Sequence, residues 1–329
     1  MSIFPVSNDV PFKPRFLWRN GQFVPWNEAT VHVSSIGHAS ISSVFEGIKA
    51  YWDARDEQLY VFRLEEHIDR LMESIRLVRL TTRYTRDEII QGVLDLLSAN
   101  ETRADVYIRP WIYATAHVRE MMVPAGTDCD VVIDTWWFQS RMLEERGVRT
   151  IVSSWSRIDE SSMPPRIKAF SNYHNSRLGV MEARSRGSEW PIFLDRRGKV
   201  TEGPASCIAM IRRGTLITPP LSSGILDSIT RRTVLTLAPE VLGIPVVERE
   251  IDRTELYLAD ELFYMGTGWE ILPIIEVDDL AIGSGAMGPL TRRLDRAYHD
   301  IVRGLTPDHD EWRTALWTAN VLLSEGLSS

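Results

Sequence analysis

The sequence predicts a two-domain chain of mixed class, an α+β domain followed by an α/β domain, and three observations carry that prediction. Its 329 residues exceed the usual size of one hydrophobic core. The first part reads as β-rich runs around two amphipathic helices, the pattern of an antiparallel sheet with helices on one side. The later part alternates short apolar runs with helical stripes. Between them the stretch Gln139 to Gly147 mixes charges and carries few apolar residues. It places domains at residues 1–138 and 148–329, joined by a linker at 139–147. Read differently, the same stretch is a surface helix inside one domain.

The elements follow in order. Asn20-Gly21, flanked by β-rich runs in FLWRNGQFVPW, predicts a tight hairpin. From Arg63, the residues Leu64, Ile68, Leu71, Ile75 and Val78 recur at steps of four and three, the stripe of an amphipathic helix. Thr85-Arg-Asp-Glu88 has the form of a capping box and starts a second helix through Ile89, Val93 and Leu96. Val106–Ile112 and Val131–Trp137 are β-branched and aromatic, hence strands. Beyond the linker come a strand at Thr150–Trp155, a helix from about Ser171 to Arg186 ending at Gly187, and a strand at Ile192–Leu194. Cys207–Thr218 reads as a hairpin turning at Arg212-Arg213-Gly214. Helices are predicted from about Ile229 to Leu242, ended by Gly243, and from Pro289 to Arg303, ended by Gly304. No internal repeat or low-complexity region is present.

Composition excludes several classes of function. A net charge of −8 without a basic stripe or tail argues against a nucleic-acid partner. The N-terminal MSIFPVSNDVPFKPRFLW has no basic region leading into a long apolar run, and no window approaches membrane-spanning length, so a cytoplasmic protein fits. Cys129 and Cys207 are too few for a disulfide framework and read as small buried hydrophobes. The seven histidines show no HExxH or paired spacing, so no metal site is expected.

Lysine usage points to one position. Of 37 basic residues only four are lysine, and one of them, Lys168, lies in RIKAFSNYHNS just after Pro164-Pro165 and just before a helix. Arginine keeps its proton in proteins, whereas a lysine amine can lose it and act as a nucleophile. On position alone a solvated lysine remains the commoner reading. Leu226-Asp-Ser-Ile-Thr-Arg231 opens a helix whose free amides, with the Ser228 and Thr230 hydroxyls, suit an anion, although both residues could be plain caps. Met265-Gly-Thr-Gly-Trp269 is a small-residue turn with amides and a hydroxyl to offer an oxyanion; more often such a turn is only a turn. Tyr107 and Arg109, two apart on one strand, share a face and suit a carboxylate, or else face water. Glu202, taken alone, is a solvated carboxylate.

Taken together and in order, these segments resemble the fold-type IV (class IV) pyridoxal-phosphate aminotransferases, a fold like that of the D-amino acid aminotransferases. The likeness is strongest to the branched-chain amino acid aminotransferases. It rests on Ser43-Val-Phe-Glu-Gly-Ile-Lys-Ala-Tyr51, FRLEEHIDRL at Phe62–Leu71, Tyr107-Ile-Arg-Pro110, Lys168 with Asn172-Tyr173, Thr201-Glu-Gly203, Ser228-Ile-Thr-Arg231, Tyr257-Leu-Ala-Asp-Glu261 and Gly266-Thr267. The resemblance implies that Lys168 carries pyridoxal 5′-phosphate and moves the proton between substrate Cα and the cofactor. It further implies that Arg70, Ser228, Ile229, Thr230 and Thr267 hold the phosphate, Tyr173 meets the cofactor's O3′, and Glu202 pairs with the pyridine nitrogen. Phe45, Tyr107, Arg109, Gly268 and Trp269 would shape the substrate side. The implied reaction is ping-pong transfer from an L-amino acid donor to a 2-oxo acid such as 2-oxoglutarate. The implied assembly is a homodimer or larger, with Ser40 in a loop reaching the partner chain.

Four positions depart from the branched-chain pattern: Trp269 where a small residue is usual, Ser40 for an aromatic, Cys207 for an asparagine, and Leu-Asp-Ser-Ile-Thr for Leu-Pro-Gly-Ile-Thr. A pocket rebuilt around Trp269, His117 and Trp136-Trp137 would suit an (R)-selective amine transaminase; the competing reading has these aromatics only packing. An aminodeoxychorismate lyase-like enzyme would use the same lysine without an amino acceptor. D-amino acid transamination fits Tyr107-x-Arg109 less well. A non-catalytic binder is expected to have lost Lys168, Arg70 or Glu202, and all three are present.

Overall fold

Asn20 and Gly21 both take positive φ, 50° and 82°, and around them β1 (Phe16–Arg19) pairs antiparallel with β2 (Gln22–Pro25). That left-handed pair matches the twist of a two-residue hairpin. The computed structural model describes residues 10–115 and 123–317. It divides into two units: Met1–Ser140 with Asp300–Ser329, and Arg141–His299.

In the first unit the hairpin is followed by α1 (Ile36–Ile41), β3 (Val44–Phe45), β4 (Ile48–Asp53), β5 (Gln58–Phe62), α2 (Leu64–Leu77), α3 (Arg86–Ala99), β6 (Val106–Ala114) and β7 (Cys129–Trp137). The predicted capping box forms: Thr85 Oγ1 accepts the Glu88 N–H, and Glu88 accepts the Thr85 N–H at 2.7 Å. The sheet is antiparallel throughout, in the order C-terminal strand, β5, β4, β6, β7, β1, β2, with β3 on β6. Alternation along β6 buries Val106 and Ile108 on one face and leaves Tyr107 and Arg109 half-buried on the other. Helix α3 lies on the apolar face, where a Cβ at Gly92 would meet Trp18 at 3.0 Å and Ile133 at 3.2 Å. The helices bury Ile68, Leu71, Ile89 and Val93 there, each worth about 1.5–3 kcal/mol over an exposed side chain.

The C-terminal residues differ from the expected boundary, which gave 148–329 to the second domain. From Asp300 onward they group with the first unit. Arg313–Ala315 forms the last strand, on β5, and Arg303 donates to Asp105 at 2.6 Å and to the Trp52 carbonyl at 2.7 Å. Between Gln139 and Gly147 no helix forms, and the chain from Arg141 belongs to the second unit.

The second unit holds β8 (Val148–Ser156), α4 (Tyr173–Ser185), β9 (Trp190–Leu194), β10 (Cys207–Arg212), β11 (Thr215–Thr218), α5 (Ile229–Leu237), β12 (Val246–Glu248), α6 (Arg253–Leu256), β13 (Glu261–Gly266), β14 (Glu270–Val277), β15 (Leu280–Ala281) and α7 (Pro289–Val302), the last running across the boundary into the first unit. Its mixed sheet runs β12, β11, β10, β13, β14, β8, β9. Val148, Ile192, Ile208, Met210, Leu262 and Ile274 fill its core. Helix α4 approaches β9 closely because position 179 is glycine: a Cβ there would fall 2.4 Å from the Phe193 ring. Helix α5 ends at Leu237, earlier than expected, and continues as one wider turn to Leu242 before Gly243 at φ 68°. Pro239 explains the change, because it has no N–H to give the regular ladder.

Candidate active site

Lys168 is placed by its own loop. After Pro164-Pro165 the chain turns, with the Ile167 N–H on the Pro164 carbonyl, and Asn172 Nδ2 donates to the carbonyls of Pro164 (3.2 Å) and Ile167 (2.9 Å). This carboxamide fixes the loop immediately before α4. The Lys168 amine then donates to the Tyr173 hydroxyl at 3.0 Å.

A continuous chain of bonds leads from α4 to Glu202. Arg157, just past β8, donates to Asn175 Oδ1 on α4 at 3.0 Å and to Glu202 Oε1 at 2.8 Å. Glu202 is 3 % exposed, so the expectation of a solvated carboxylate for the residue alone does not hold. Its Oε2 accepts the Leu226 N–H at 3.3 Å, which ties it to the segment entering α5. Ser228 caps α5, its Oγ accepting the Arg231 N–H at 3.2 Å, and Ile229 and Thr230 are buried in the first turn. Free amides there make an anion site. Nearby, the turn after β13 reverses the chain with the Trp269 N–H on the Gly266 carbonyl. A Cβ at Gly266 would meet Ser206 at 3.0 Å, so this turn lies against the loop that begins at Glu202.

Trp269 turns toward the core of its own unit. Its ring lies 4.6 Å from that of Trp190 and 5.2 Å from that of Tyr264. Cys207 is buried, with its thiol on the Leu226 carbonyl at 3.5 Å.

The remaining expected residues lie in the first unit. Arg70 holds Glu46 in a two-pronged pair, Nε to Oε1 at 2.7 Å and Nη2 to Oε2 at 2.8 Å, while His67 Nδ1 lies 2.7 Å from Oε2. Burial pushes the Glu46 carboxyl up, but the Arg70 charge and the bonds from His67 and Arg70 outweigh it and hold the group well below the usual carboxylate range. Tyr107 stacks on Trp136 at 4.9 Å, and a Cβ at Gly47 would strike its hydroxyl. Arg109 grips Asp134 through Nε (3.0 Å) and Nη2 (2.6 Å). Neither residue is an idle surface group. Phe45 is buried on β3 opposite Trp111. Ser40, exposed on α1, donates to the Ile36 carbonyl. His117 lies outside the described residues.

Sequence reasoning missed Arg157 and the role of Glu46. For Glu46 a signal existed: an acid inside Val-Phe-Glu-Gly-Ile has apolar neighbours and needs a buried cation. Arg157 had none, being one of 33 arginines.

The family model described as amino-transferase class IV matches residues 43–277. The chain belongs to the class IV aminotransferases. It is 36 % identical over 309 residues to a probable branched-chain-amino-acid aminotransferase of Aquifex aeolicus, covering 93 % of this chain and 98 % of that one. It is 37 % identical over 303 residues to the branched-chain-amino-acid aminotransferase of Escherichia coli K12, covering 91 % and 97 %. The crystal structure of the branched-chain amino acid aminotransferase from Thermobaculum terrenum in its PLP form superposes with a TM-score of 0.90 at 44 % identity, covering 93 % of this chain and 99 % of that one. As a class IV aminotransferase the protein is a pyridoxal-phosphate-dependent transaminase. The second unit's donor set fits that cofactor: a lysine amine beside a phenol, a buried carboxylate fixed by an arginine, and a capped helix N-terminus. Among the described residues no cluster suits a metal ion, and no helix is long and apolar enough to cross a membrane.

Proposed function

We propose that this enzyme moves an amino group from L-amino acids of the branched-chain type to a 2-oxo acid such as 2-oxoglutarate, in two halves separated by release of the first keto product. The observation that carries the reading is the bonded series Lys168–Tyr173, Asn175–Arg157–Glu202–Leu226, ending at the start of α5. Pyridoxal phosphate, when bound, supplies an electron-withdrawing ring that stabilises negative charge at the substrate Cα.

The chain's residues do the rest. With the cofactor bound, Lys168 would hold it through its amine and, once released, would move the proton at the substrate Cα. Tyr173, bonded to the Lys168 amine, would orient that amine and meet the cofactor's O3′. Glu202, set by Arg157, accepts the pyridinium N–H, which a neutral residue there could not balance. The α5 amides at Ile229 and Thr230 and the hydroxyls of Ser228, Thr230 and Thr267 would hold the phosphate. Arg70, itself fixed by Glu46, adds charge. The Gly266–Trp269 turn would hold the substrate carboxylate, with Gly268 and Trp269 beside the side chain; Tyr107, Phe45 and Arg109, in the first unit, are assigned to the substrate by the family likeness alone. The relatives named for branched-chain substrates support that class. So does the seating of Trp269 against Trp190 and Tyr264. We also place the enzyme in the cytoplasm as a homodimer or larger. The exposed Val33, Ile36 and Ile41 around Ser40 offer an apolar face for the partner.

The test mixes the cofactor-loaded enzyme separately with L-leucine, L-glutamate, D-alanine and (R)-1-phenylethylamine and follows the cofactor's absorbance. Rapid change with L-leucine and L-glutamate is expected. Rapid change with the amine and little with L-leucine would instead establish the amine transaminase reading. Lys168→Ala is expected to remove both the absorbance of bound cofactor and turnover.

A further inference from the structure

The turn proposed to hold the substrate carboxylate ends on Glu270, a buried, side-chain-bearing residue at φ 58°. Such a backbone persists only where its surroundings hold it. Two more left-handed residues, Leu143 (φ 70°) and Glu145 (φ 53°), lie in the segment where the second unit begins. The two strained stretches are fastened to one another and to α7. Glu270 Oε2 accepts the Arg141 N–H at 2.9 Å, and Asp295 Oδ2 accepts the Leu143 N–H at 2.8 Å. Arg292, one turn earlier on α7, binds Glu145 at 2.6 Å.

The chemistry is poorly suited to stability alone. Glu270 and Asp295 are 1 % and 2 % exposed, and Asp295 Oδ1 is buried without a hydrogen-bond partner among the described residues. Apolar side chains at such sites usually stabilise a fold at least as well as buried acids. What the acids provide is directional acceptance of two backbone amides.

We propose that Glu270 and Asp295 are positioning residues: by clamping residues 141–143 they hold the Gly266–Trp269 turn in the conformation that grips the substrate carboxylate. This rests on the reading of that turn given above.

The clamp has a proton dependence. Burial pushes the Asp295 carboxyl up to about 6; the Leu143 amide and Arg296 oppose this, and the charges of Glu270 and Glu145 add to it. Arg292, paired with Glu145 and near the Glu261 charge, also borders the cluster. Protonated, Asp295 gains an O–H to donate and no longer repels Glu270. Ionised, it accepts more strongly from Leu143, but its desolvation together with the Glu270 charge makes it a net burden that opening of the cluster relieves.

The experiment measures KM and kcat for L-leucine and 2-oxoglutarate from pH 5 to 8 with the holoenzyme, Asp295→Asn, Asp295→Ala and Glu270→Gln. Amide exchange at residues 140–146 and 264–272 is followed in parallel. Asp295→Ala is expected to raise both KM values about tenfold with kcat within about twofold, and to speed exchange in both segments. Asp295→Asn, which still accepts from Leu143, is expected to keep slow exchange and to lack the rise in KM above pH 6 expected of the unmodified enzyme. Unchanged exchange at 264–272 in Asp295→Ala, or the same KM profile in Asp295→Asn and the unmodified enzyme, overturns the proposal. Should Asp295→Ala fail to fold, the Asn profile still decides. A control separates the two levels. If the unmodified enzyme uses 3-methylbutylamine as readily as L-leucine, the turn grips no carboxylate and the underlying reading fails. Preference for L-leucine with unmoved variants fails the clamp alone.

Discussion

The Arg157 guanidinium donates to Glu202 Oε1 at 2.8 Å, and both side chains lie almost wholly out of water. In such a pair, removing one partner is far more damaging than replacing both, because the survivor keeps its desolvation cost without its counter-charge. Arg157→Met is therefore expected to destabilise the protein by about 3–5 kcal/mol. Glu202→Gln keeps the shape but has one accepting oxygen for the two donors, Arg157 and Leu226, so it too should lose stability, and it cannot balance a pyridinium proton. Its kcat should fall by roughly 100-fold or more. Cofactor titration beside single-turnover rates checks the split; full activity in Glu202→Gln would remove Glu202 from the mechanism.

Glu46 gives a prediction in acid. Its folded carboxyl is held well below its ordinary value of 4.5, so the unfolded chain takes up a proton first as pH falls. Stability from the Glu46–Arg70–His67 group is thus complete above the ordinary carboxylate range and drains away below about pH 4.5. Glu46→Gln removes the buried counter-charge of Arg70 and should cost about 3–5 kcal/mol at neutral pH. It should also flatten the melting temperature's dependence on pH below 4.5, readable by calorimetry.

The sequence exposes what local chemistry decides and hides what distant pairing decides. Asn20-Gly21 announces its turn because few residues accept two left-handed positions in succession. Thr85 and Glu88 announce a helix start because each side chain satisfies the other's backbone N–H. By contrast, Arg313–Ala315 is three residues long, and it becomes a strand only because β5 offers it an unpaired edge. No local pattern marks that, so the sequence alone carries the second domain too far toward the C-terminus. The same divide runs through the site. Lys168 stood out by rarity and the α5 start by its cap, whereas Arg157 is defined only by the carboxylate that folding brings beside it.

Trp269 tests whether an unusual residue has redirected the pocket. Its ring packs on Trp190 and Tyr264, so Trp269→Ala should open a cavity and cost about 2–4 kcal/mol, since the indole is only partly buried. The ranking of L-leucine over (R)-1-phenylethylamine should stay as it is. A reversal of that ranking, measured as the ratio of kcat/KM values, would show that the indole and not the turn's backbone defines the substrate side.

Asp295 carries the last prediction, on stability and with the opposite sign to Glu46. Its folded carboxyl is raised from 3.8 to about 6. The folded state therefore holds the proton more tightly than the unfolded chain. That contribution is fully present below pH 3.8, declines between 3.8 and 6, and is gone above, where the ionised group is a burden. Asp295→Asn fixes the side chain in a neutral form that still accepts from Leu143. Its gain in stability should be near zero at pH 4 and grow to about 2–3 kcal/mol at pH 8, the 2.2-unit difference between 6 and 3.8 taken at 1.36 kcal/mol each. Glu270 sharpens the expectation, because its charge is one of the causes of the shift. In a Glu270→Gln background the same Asp295→Asn change should gain less, and a double-mutant cycle at pH 8 reads the difference as the coupling between the two acids. Equal gains in both backgrounds would mean that burial alone, and not the pairing of the two carboxylates, sets the proton on Asp295.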